Sequence, residues 1–508
     1  MTLTAALKSP ALFSRHIIGI PLHHYQIDPI TAVLDSVLHG HGREFLIIMP
    51  RQSGKNEAIA HLLVMLLNLY QRRGGNIVYG AIGDGLGRGI SRLQSRLDNP
   101  LNGRTWRKAA NPTRRIVGAA AAVFLSSHPQ AFARGETAHI LLVIDELQDQ
   151  NAPHIEQVFE PMRAANNATA VYLGTVKFKH DALWQKKEEL ERLERTDGIR
   201  RVFFIPPDQV TAENEAYGRF LAAKIAKFGR NHPIVASEYY LEPIDGSGGL
   251  FDESRRALMM GTHGRQHTPD ADQLTISLID VGGQDEAATD PVAALSNPSR
   301  DYTTCTIVAV DTDQPLPVYR AIDIFTDQGG RHFQDNPGLP SLAKRLNAYL
   351  ERWGVAHTII DASGVGEGLA DWLAARRPGQ LTPFKFTATS KAQLGSSFVA
   401  AVETGRFQYM SDDAGHERSD GRWFWRQAAA CVYEIPPDGR FDTHLRWFVP
   451  ATHKTPTAAG NQLTHDDRLL SAALCVLADE LIASGAIRTG RAVSAVIPPA
   501  DPLNNLTF

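Results

Sequence analysis

A short loop between a predicted strand and a predicted helix has the composition of a phosphate-binding loop. Residues 49–56 read Met-Pro-Arg-Gln-Ser-Gly-Lys-Asn, after a predicted buried strand at 44–49 and before a predicted helix at 57–70. Backbone N–H groups of such a loop surround a phosphate with partial positive charge, and Lys55 can reach the terminal phosphates of a nucleotide. The loop departs twice from the usual G-x-x-x-x-G-K-[ST] pattern, because Met49 replaces the first glycine and Asn56 replaces the hydroxyl residue that binds Mg²⁺.

A pair of carboxylates follows an apolar run further along the chain. Residues 140–144 are all apolar, and Asp145 and Glu146 come directly after them. Asp145 can hold Mg²⁺ through water, and Glu146 can orient an attacking water. Two acids after a strand can also be a solvated strand end. Together with the Lys55 loop, however, they predict a site that hydrolyses a nucleoside triphosphate.

Four aspartates in the second half lie at the ends of predicted elements. Asp280 ends a predicted strand at 274–279, Asp361 ends another before a glycine-containing turn at 363–366, and Asp466 and Asp467 open an apolar helix predicted to about residue 481. A nuclease that uses two metal ions needs acids that converge from separate elements. Each aspartate alone can be a turn former or a helix cap, so only the set predicts a metal site. Which of Asp466 and Asp467 binds metal stays open.

Two polar residues accompany this acidic set. Asp301 can lie near Asp280 across a hairpin, where it would support the metal ligands rather than bind metal itself. His465 can orient a metal-bound water, although a histidine beside two acids is more often their hydrogen-bond partner.

The elements that must position these residues fall into two groups. Up to residue 230, short apolar strands alternate with amphipathic helices, the last of them predicted over 212–228, which indicates an α/β sheet with flanking helices. After a glycine-rich stretch at 245–249, three β-rich runs at 274–279, 305–310 and 318–325 can pair as consecutive antiparallel strands. We therefore predict a first domain at 1–235, a linker at 236–270, a second domain at 271–485 and a flexible tail at 486–508.

Length and composition agree with this division. The chain has 508 residues, beyond the roughly 250–300 at which a single core stops growing. Its net charge of −3 means that any DNA-binding surface must be local, and the stretch 88–115, with eight basic residues and one acid, is the candidate. No apolar run is long enough to span a bilayer, and no signal-peptide pattern opens the chain, so we expect a cytoplasmic location and no membrane. The three cysteines suit buried reduced thiols.

Residues 50–55, the Asp145-Glu146 pair and the strand end Leu173-Gly174-Thr175 together resemble the motor domain of large terminases of tailed bacteriophages. The order of the acids at 280, 361 and 466–467 is similar to the nuclease domain of the same family. The fold class that the resemblance implies is α/β, with a P-loop (RecA/ASCE-like) ATPase sheet followed by a ribonuclease H-like mixed sheet.

The resemblance also implies roles for individual residues. Tyr25 and Gln26 would contact adenine, and Thr175 would couple hydrolysis to movement. An arginine must neutralise charge on the γ-phosphate, and Arg51 in the loop and Arg134 before the Asp145 strand are the two candidates; a surface salt bridge is the alternative for Arg134. The predicted nucleotide-binding set is Tyr25, Gln26, Arg51, Gln52, Ser53, Gly54, Lys55, Asn56, Asp145 and Thr175.

The expected cofactors are ATP with Mg²⁺ in the first domain and two divalent ions, Mg²⁺ or Mn²⁺, held by Asp280, Asp361 and Asp466 or Asp467 in the second. The expected partners are double-stranded DNA, the portal protein of the procapsid and a small terminase subunit. Five copies of the chain are expected to form a ring on the portal. We expect this assembly in the host cytoplasm and do not expect the chain in the mature virion. A cellular helicase fused to a nuclease would need further helicase motifs after Thr175. The intact Lys55, Glu146 and aspartate set argue against a catalytically inactive assembly module.

Overall fold

The computed structural model describes residues 6–110, 113–131, 135–283, 301–329, 331–336, 338–411, 420–436, 439–457 and 460–488. Arg134 and residues 489–508 of the predicted tail lie outside these ranges. The chain divides into two compact units. Unit 1 comprises Met1–Ala222 and Pro233–Asp245, and unit 2 comprises Ala223–His232 and Gly246–Phe508.

The strands in chain order are β1 Glu44–Ile48, β2 Gly75–Ala81, β3 Arg107–Ala109, β4 Thr113–Val117, β5 Ala120–Ser126, β6 Leu141–Ile144, β7 Thr169–Gly174, β8 Val202–Phe204, β9 Ser247–Gly249, β10 Thr275–Asp280, β11 Tyr302–Asp311, β12 Val318–Gln328, β13 His357–Asp361, β14 Leu381–Phe384, β15 Phe407–Tyr409, β16 Val432–Glu434, β17 Arg446–Phe448, β18 Lys454–Thr457 and β19 Gly460–Leu463.

The α-helices are α1 Pro10–Phe13, α2 His24–Leu38, α3 Lys55–Tyr70, α4 Asp84–Leu97, α5 Ala152–His154, α6 Pro161–Ala164, α7 Ala182–Asp197, α8 Pro207–Glu213, α9 Glu215–Phe228, α10 Pro233–Glu238, α11 Glu253–Met259, α12 Leu342–Trp353, α13 Gly366–Ala374, α14 Ala388–Glu403, α15 Asp420–Ala430, α16 Phe441–His444, α17 Asp467–Ala473 and α18 Ala478–Ala483. Single turns of π-helix at Ser14–Ile18 and Ile155–Phe159 and of 3₁₀-helix at Leu147–Asp149 and Leu474–Leu477 complete the set.

Unit 1 contains an eight-stranded sheet in the order β3-β4-β5-β2-β6-β7-β1-β8. The strands from β5 to β8 in this order are mutually parallel, and β3 and β4 join antiparallel at one edge. The loop strand β1 and the carboxylate strand β6 are separated by β7, as in RecA/ASCE-like sheets. Because the carboxyl ends of parallel strands meet at one edge, the loop after β1, the acids after β6 and Thr175 after β7 face a common crevice.

Unit 2 contains a six-stranded mixed sheet in the order β14-β13-β10-β11-β12-β15. The three β-rich runs predicted to pair as consecutive antiparallel strands are β10, β11 and β12, and this pairing is confirmed. Strand β13 then joins the free edge of β10 in parallel, and β14 joins β13. Three antiparallel strands extended by parallel ones next to the first form a ribonuclease H-like sheet, so the predicted α/β fold class is confirmed.

Each unit has its own apolar core. In unit 1 the parallel strands contribute fully buried residues such as Leu142 and Tyr172, and in unit 2 Trp353 packs with the strands of the mixed sheet. The cysteines at 305, 431 and 475 are free buried thiols, as predicted. Within the described part of the chain, no helix combines the length and the apolar character needed to cross a bilayer.

Two predicted helices are broken in the structure. The helix predicted over 212–228 is interrupted at Asn214, whose extended backbone ends α8 and whose side chain accepts a hydrogen bond from the Tyr217 N–H in α9. The helix predicted over 466–481 consists of α17, a 3₁₀ turn and α18. The spacing of apolar residues continues through both interruptions, so the sequence pattern does not predict where the helices break.

The buried His232 gives unit 2 a testable pH dependence. Its ring Nε2 donates to the Ser396 carbonyl, 3.1 Å away, and burial lowers the pKa of His232 to about 4 despite that bond. Between pH 6.5 and 4 the unfolded state therefore binds a proton that the folded state does not, so stability falls as the pH falls. We expect about 2 kcal/mol of this loss between pH 7 and pH 5.

Urea unfolding at the two pH values measures this loss. His232→Gln removes the titrating group, so its stability should fall less than that of the wild type over the same interval. Equal losses for the two proteins would contradict the assignment.

Candidate functional site

The loop after β1 has the backbone of a phosphate-binding turn. Gln52 and Gly54 have positive φ angles of 63° and 89°, and the Ser53 hydroxyl donates to the Pro50 carbonyl at 2.7 Å. A Cβ at Gly54 would overlap the Gln26 amide, so both the φ angle and the close approach require glycine there. The loop is thus held in a fixed conformation before the first turn of α3.

Tyr25 and Gln26, in the first turn of α2, lie against this loop. The Tyr25 hydroxyl donates to the Ser53 carbonyl at 2.8 Å, and the Gln26 amide donates to the Gly54 carbonyl at 3.0 Å. These bonds give both side chains a clear role as braces of the loop. The contact with adenine that the resemblance implies for them stays a prediction.

Lys55 lies between the two carboxylates at the end of β6. Its Nζ is 3.1 Å from Glu146 Oε2 and 4.0 Å from Asp145 Oδ1, and all three groups are largely buried. Burial raises the pKa of Asp145 although the Lys55 charge opposes it. Burial also acts to raise the pKa of Glu146, but Lys55 and neighbouring donors outweigh it and lower that pKa. Glu146 is therefore held ionised, as a water-orienting carboxylate needs to be.

Glu146 is also one of the few non-glycine residues with positive φ, at 50°. Such a conformation costs about 1–3 kcal/mol and is concentrated at functional sites. Gln148 holds it in place, because its Nε2 donates to Glu146 Oε2 at 2.7 Å and its Oε1 accepts from the Thr175 N–H at 3.2 Å. The Thr175 hydroxyl in turn donates to the Met49 carbonyl at 3.0 Å. Gln148 was missed from the sequence, where a glutamine after two acids carries no recognisable signal.

Asp145 is fixed by two further side chains that the sequence did not identify. The Tyr79 hydroxyl, at the end of β2, donates to Asp145 Oδ2 at 2.6 Å, and the Gln150 amide donates to the Asp145 carbonyl at 2.7 Å. Tyr79 reads as an ordinary apolar strand residue, so only the position of β2 beside β6 reveals its part in the site.

Of the two arginines predicted to neutralise charge on the γ-phosphate, the structure describes the contacts of one. Arg51 forms an ion pair with Glu238 at 2.7 Å, and its own N–H donates to the Glu238 carbonyl at 2.8 Å. Arg134 lies outside the described residues. A third arginine, Arg88 in α4, lies close enough that its charge lowers the pKa of Glu146, after the larger effects of burial and Lys55.

The residues present fit a nucleotide-bound Mg²⁺. Asn56 stands at the position of the usual hydroxyl ligand, and its Oδ1 is buried with no hydrogen-bond partner in the described part of the chain. A buried carbonyl oxygen without a donor is unfavourable unless something binds it, and amide oxygens are acceptable ligands for hard cations.

Asp280 and Asp361 lie side by side in unit 2. Strands β10 and β13 are parallel with Ile279 opposite Ile360, so the next residue on each strand, Asp280 or Asp361, lies at the same carboxyl edge. The turn after Asp361 is tight, since a Cβ at Gly366 would overlap the Asp361 carbonyl. The Ser363 N–H donates to Asp361 Oδ1 at 2.8 Å and fixes that carboxylate.

Helix α17 brings Asp467 to the same edge. The Ser471 hydroxyl donates to the Leu278 carbonyl on β10 at 2.8 Å and lies 2.8 Å from the Thr306 hydroxyl on β11. Asp467 is one helical turn before Ser471, and Asp280 is two residues beyond Leu278. The anchoring of α17 on the sheet therefore places Asp467 beside the two strand ends.

The electrostatics of these acids are those of a cation site. Burial, followed by the charges of Asp467, Asp466 and Asp361, raises the pKa of Asp280 well above its usual range. Burial also raises the pKa of Asp467 to about 7, and its Oδ2 has no hydrogen-bond partner among the described residues. Clustered buried carboxylates repel one another unless a proton or a metal ion neutralises them. The acidic set therefore fits divalent cations.

Asp466 and the neighbouring polar residues surround this set. Asp466 is the N-cap residue directly before α17, and its carboxylate lies 3.6 Å from the Lys391 amino group. His465 Nδ1 is 2.8 Å from Asp301 Oδ1, and this bond is the largest cause of the raised pKa of His465. Lys391, which the sequence did not single out, partly counters the acidic charge on Asp280.

The ligand atoms of Asp280, Asp361 and Asp467 do not all lie within the short distances of a single-ion cluster. Among the described residues, the one group of three whose ligand atoms all lie within 4.8 Å of one another is Asp35, His39 and His41, exposed at the end of α2. The aspartates at 280, 361 and 467 are therefore more widely spaced than ligands of a single ion.

Several arginines of the basic stretch at 88–115, which was predicted as a DNA-binding surface, are engaged in ion pairs within unit 1. Arg92 and Arg96 in α4 both pair with Glu57, and Arg114 pairs with Glu136. These arginines therefore also connect elements of unit 1.

The fold and the two sites define an α/β protein that combines a P-loop nucleotide site with a separate cluster of buried acids on a ribonuclease H-like sheet. No family model matches the chain, and no curated protein matches it.

The solved structures that it matches include large terminases. That of a thermophilic bacteriophage is 12% identical, with a TM-score of 0.46, and covers 90% of this chain and 99% of its own. The large terminase of bacteriophage HK97 is 14% identical, with a TM-score of 0.39, and the match covers 94% of this chain and 100% of the HK97 chain. The large terminase nuclease of thermophilic phage G20c with bound magnesium is 18% identical, with a TM-score of 0.31, and covers 45% and 96%. At these sequence identities and TM-scores, the likeness concerns only the course of the backbone. Any function must therefore be argued from the sites themselves.

Proposed function

We propose that the chain is a viral genome-packaging motor, the large subunit of a terminase. ATP hydrolysis in unit 1 moves double-stranded DNA into a procapsid, and the acids of unit 2 cut the concatemeric DNA. The observation that carries the proposal is the presence in one chain of the buried Lys55–Glu146 pair beside a phosphate-binding loop and of the buried acids at the edge of the second sheet.

In unit 1, the loop N–H groups and Lys55 bind the phosphates. Asp145 and Asn56 would hold Mg²⁺, which would supply positive charge beside the β- and γ-phosphates. Binding of the phosphates by Lys55 frees Glu146 from its ion pair. Glu146, held by Gln148, then orients the attacking water. Because Gln148 also bonds the Thr175 N–H at the end of β7, a change at Glu146 is passed directly to the neighbouring strand end. Arg51 or Arg134 supplies the additional positive charge.

In unit 2, Asp280, Asp361 and Asp467 would hold two divalent ions, with Asp466 beside them. The ions would activate a water and stabilise the leaving oxygen of the scissile phosphate. The chain's own groups position this site, since Ser363 orients Asp361, Ser471 fixes α17 on the sheet, and His465 is held by Asp301.

We further propose the surroundings in which this motor works. Its partners are double-stranded DNA, bound mainly through phosphates and therefore salt-sensitively, the portal protein of the procapsid and a small terminase subunit that selects the cutting site. The assembled form is a ring of five copies on the portal, in the host cytoplasm.

The Asn56 ligand leads to a specific prediction. Asn56→Ala should raise the Mg²⁺ concentration for half-maximal nucleotide binding by about tenfold, whereas Asn56→Ser restores an oxygen ligand and should recover most of the loss. The binding of a fluorescent ADP analogue, titrated with Mg²⁺, measures the effect without turnover. The affinity in EDTA serves as the control and should be the same in all three proteins. An unchanged Mg²⁺ requirement in Asn56→Ala would exclude Asn56 as a ligand.

Movement of DNA is tested by displacement of a third strand from a linear duplex. The Asp361→Ala variant keeps the DNA intact, so it should displace the strand when ATP is supplied and fail with a non-hydrolysable analogue. ATP hydrolysis without any displacement would contradict a translocating motor.

A further inference from the structure

A cleft in unit 2 lies directly beside the acidic set. It is a shallow cleft that is partly open to solvent. Its walls include Tyr302, Trp423, Gln462, His465 and Arg468. His465 and Arg468 flank the two aspartates that begin α17, and the Tyr302 N–H donates to the Asp467 carboxylate. A molecule in the cleft would therefore lie next to anything bound by those acids.

The side chains of the cleft are those that recognise a nucleotide. Two aromatic rings border it, and each has a guanidinium close to its face, Arg468 at 4.7 Å from the Tyr302 ring and Arg426 at 5.0 Å from the Trp423 ring. Aromatic rings stack with any base, and arginine adds both cation–π attraction and a phosphate contact. The amide of Gln462 can pair with the edge of a base.

A buried nitrogen in the wall points to a ligand independently. His465 Nδ1 is engaged by Asp301, while its Nε2 is buried and has no hydrogen-bond partner among the described residues. A buried ring nitrogen of this kind is uncommon unless something binds it.

Hydrogen bonds connect two helices that form the wall. The Gln427 side chain, from α15, accepts hydrogen bonds from the N–H groups of Arg468 and Leu469 at 2.9 and 3.0 Å. It thereby joins the helix that carries Trp423 to the first turn of the helix that carries Asp467. A preformed wall lowers the entropic cost of binding.

We propose that this cleft binds one nucleotide of the DNA strand that is being cut, next to the scissile phosphate, with its base against the aromatic rings and its edge on Gln462 and His465. The proposal rests on the nuclease function proposed above. A paired base inside a duplex cannot enter such a cleft without leaving the stack. Unit 2 should therefore prefer DNA in which one base at the cutting position is unpaired.

Binding is measured apart from cutting. Two DNA hairpins carry 2-aminopurine, one as an unpaired bulge and one fully paired, and the full-length chain is titrated onto each in Ca²⁺. We expect the wild type to bind the bulged hairpin about tenfold more tightly, because base–aromatic stacking is worth that much or more. Trp423→Ala and Gln462→Ala should lose this preference, and Trp423→Phe should keep it. Asn461→Ala is the matched control, because neighbouring strand residues face opposite sides and Asn461 is exposed.

Equal affinity of the wild type for both hairpins, or an unchanged preference in Trp423→Ala, would overturn the proposal. Free 2-aminopurine nucleoside monophosphate distinguishes a strand from a soluble nucleotide; if it bound as tightly as the bulged hairpin and displaced it, the assignment to a DNA strand would be wrong. Cutting is assayed separately in Mn²⁺. If the chain prefers the bulged hairpin but does not cut DNA, the nucleotide-binding cleft is supported and the nuclease function is refuted. If the chain cuts DNA but shows no preference for the bulge, the nuclease function is supported and the nucleotide-binding cleft is refuted.

Discussion

Replacing Lys55 by alanine is expected to lower the rate of ATP hydrolysis by at least about a hundredfold, the usual loss when one preorganised electrostatic group is removed. Lys55 is 8% exposed and lies between the carboxylates of Asp145 and Glu146. Its removal takes away the phosphate ligand and leaves two like charges without their cation. Phosphate release under saturating ATP and Mg²⁺ measures the effect.

Two controls separate this loss from misfolding. Lys179→Ala removes an exposed lysine of the same unit, paired with Asp245 at 3.4 Å, and should hydrolyse ATP like the wild type. Lys55→Ala should also still cut plasmid DNA in Mn²⁺, because the acids of unit 2 do not depend on Lys55. More than a tenth of wild-type ATPase activity in Lys55→Ala would show that the nucleotide site has been wrongly assigned.

Replacing Asp361 by alanine is expected to have the opposite pattern, with cutting reduced by about a thousandfold and ATP hydrolysis unchanged, since metal ions supply several kcal/mol to such reactions. Asp361 lies beside Asp280 at the edge of the β10–β13 pair, and its carboxylate is fixed by the Ser363 N–H. Linearisation of a supercoiled plasmid in Mn²⁺ measures the cutting rate.

A thermal melt gives a second readout that needs no activity. Because a ligand that binds only the folded state stabilises it, Mn²⁺ should raise the melting temperature of the wild type and raise that of Asp361→Ala less. Asp371→Ala is the matched control, an exposed aspartate on the helix after the Asp361 turn. Retained cutting and a full Mn²⁺ shift in Asp361→Ala would remove Asp361 from the metal site.

The parts of the fold that the sequence predicted are those with a strong local signal. The runs that became β1 and β6, apolar apart from Glu44, are typical of strands in the middle of a parallel sheet. The strands that were missed lack such a signal. Strand β5 begins with three alanines, which have low strand propensity, yet it is buried because β2 and β4 enclose it.

The candidate sites divide in the same way. Residues named from a motif, such as Lys55 and Glu146, were predictable because their chemistry depends on local spacing. Gln148, Tyr79 and Lys391 reach their sites only through pairing of distant elements, so a single sequence contains no sign of their roles. The same holds for the cleft beside Asp467, whose walls come from β11, α15, β19 and α17.

The central claim is that one chain contains two independent metal-assisted phosphoryl-transfer sites. It is tested most directly by assaying a single preparation of the wild type in parallel for phosphate release from ATP and for plasmid cutting, with Mg²⁺ or Mn²⁺ and then with EDTA. We predict both activities, each abolished by EDTA. A preparation that is folded by thermal melting and binds Mn²⁺ but has neither activity would contradict the claim.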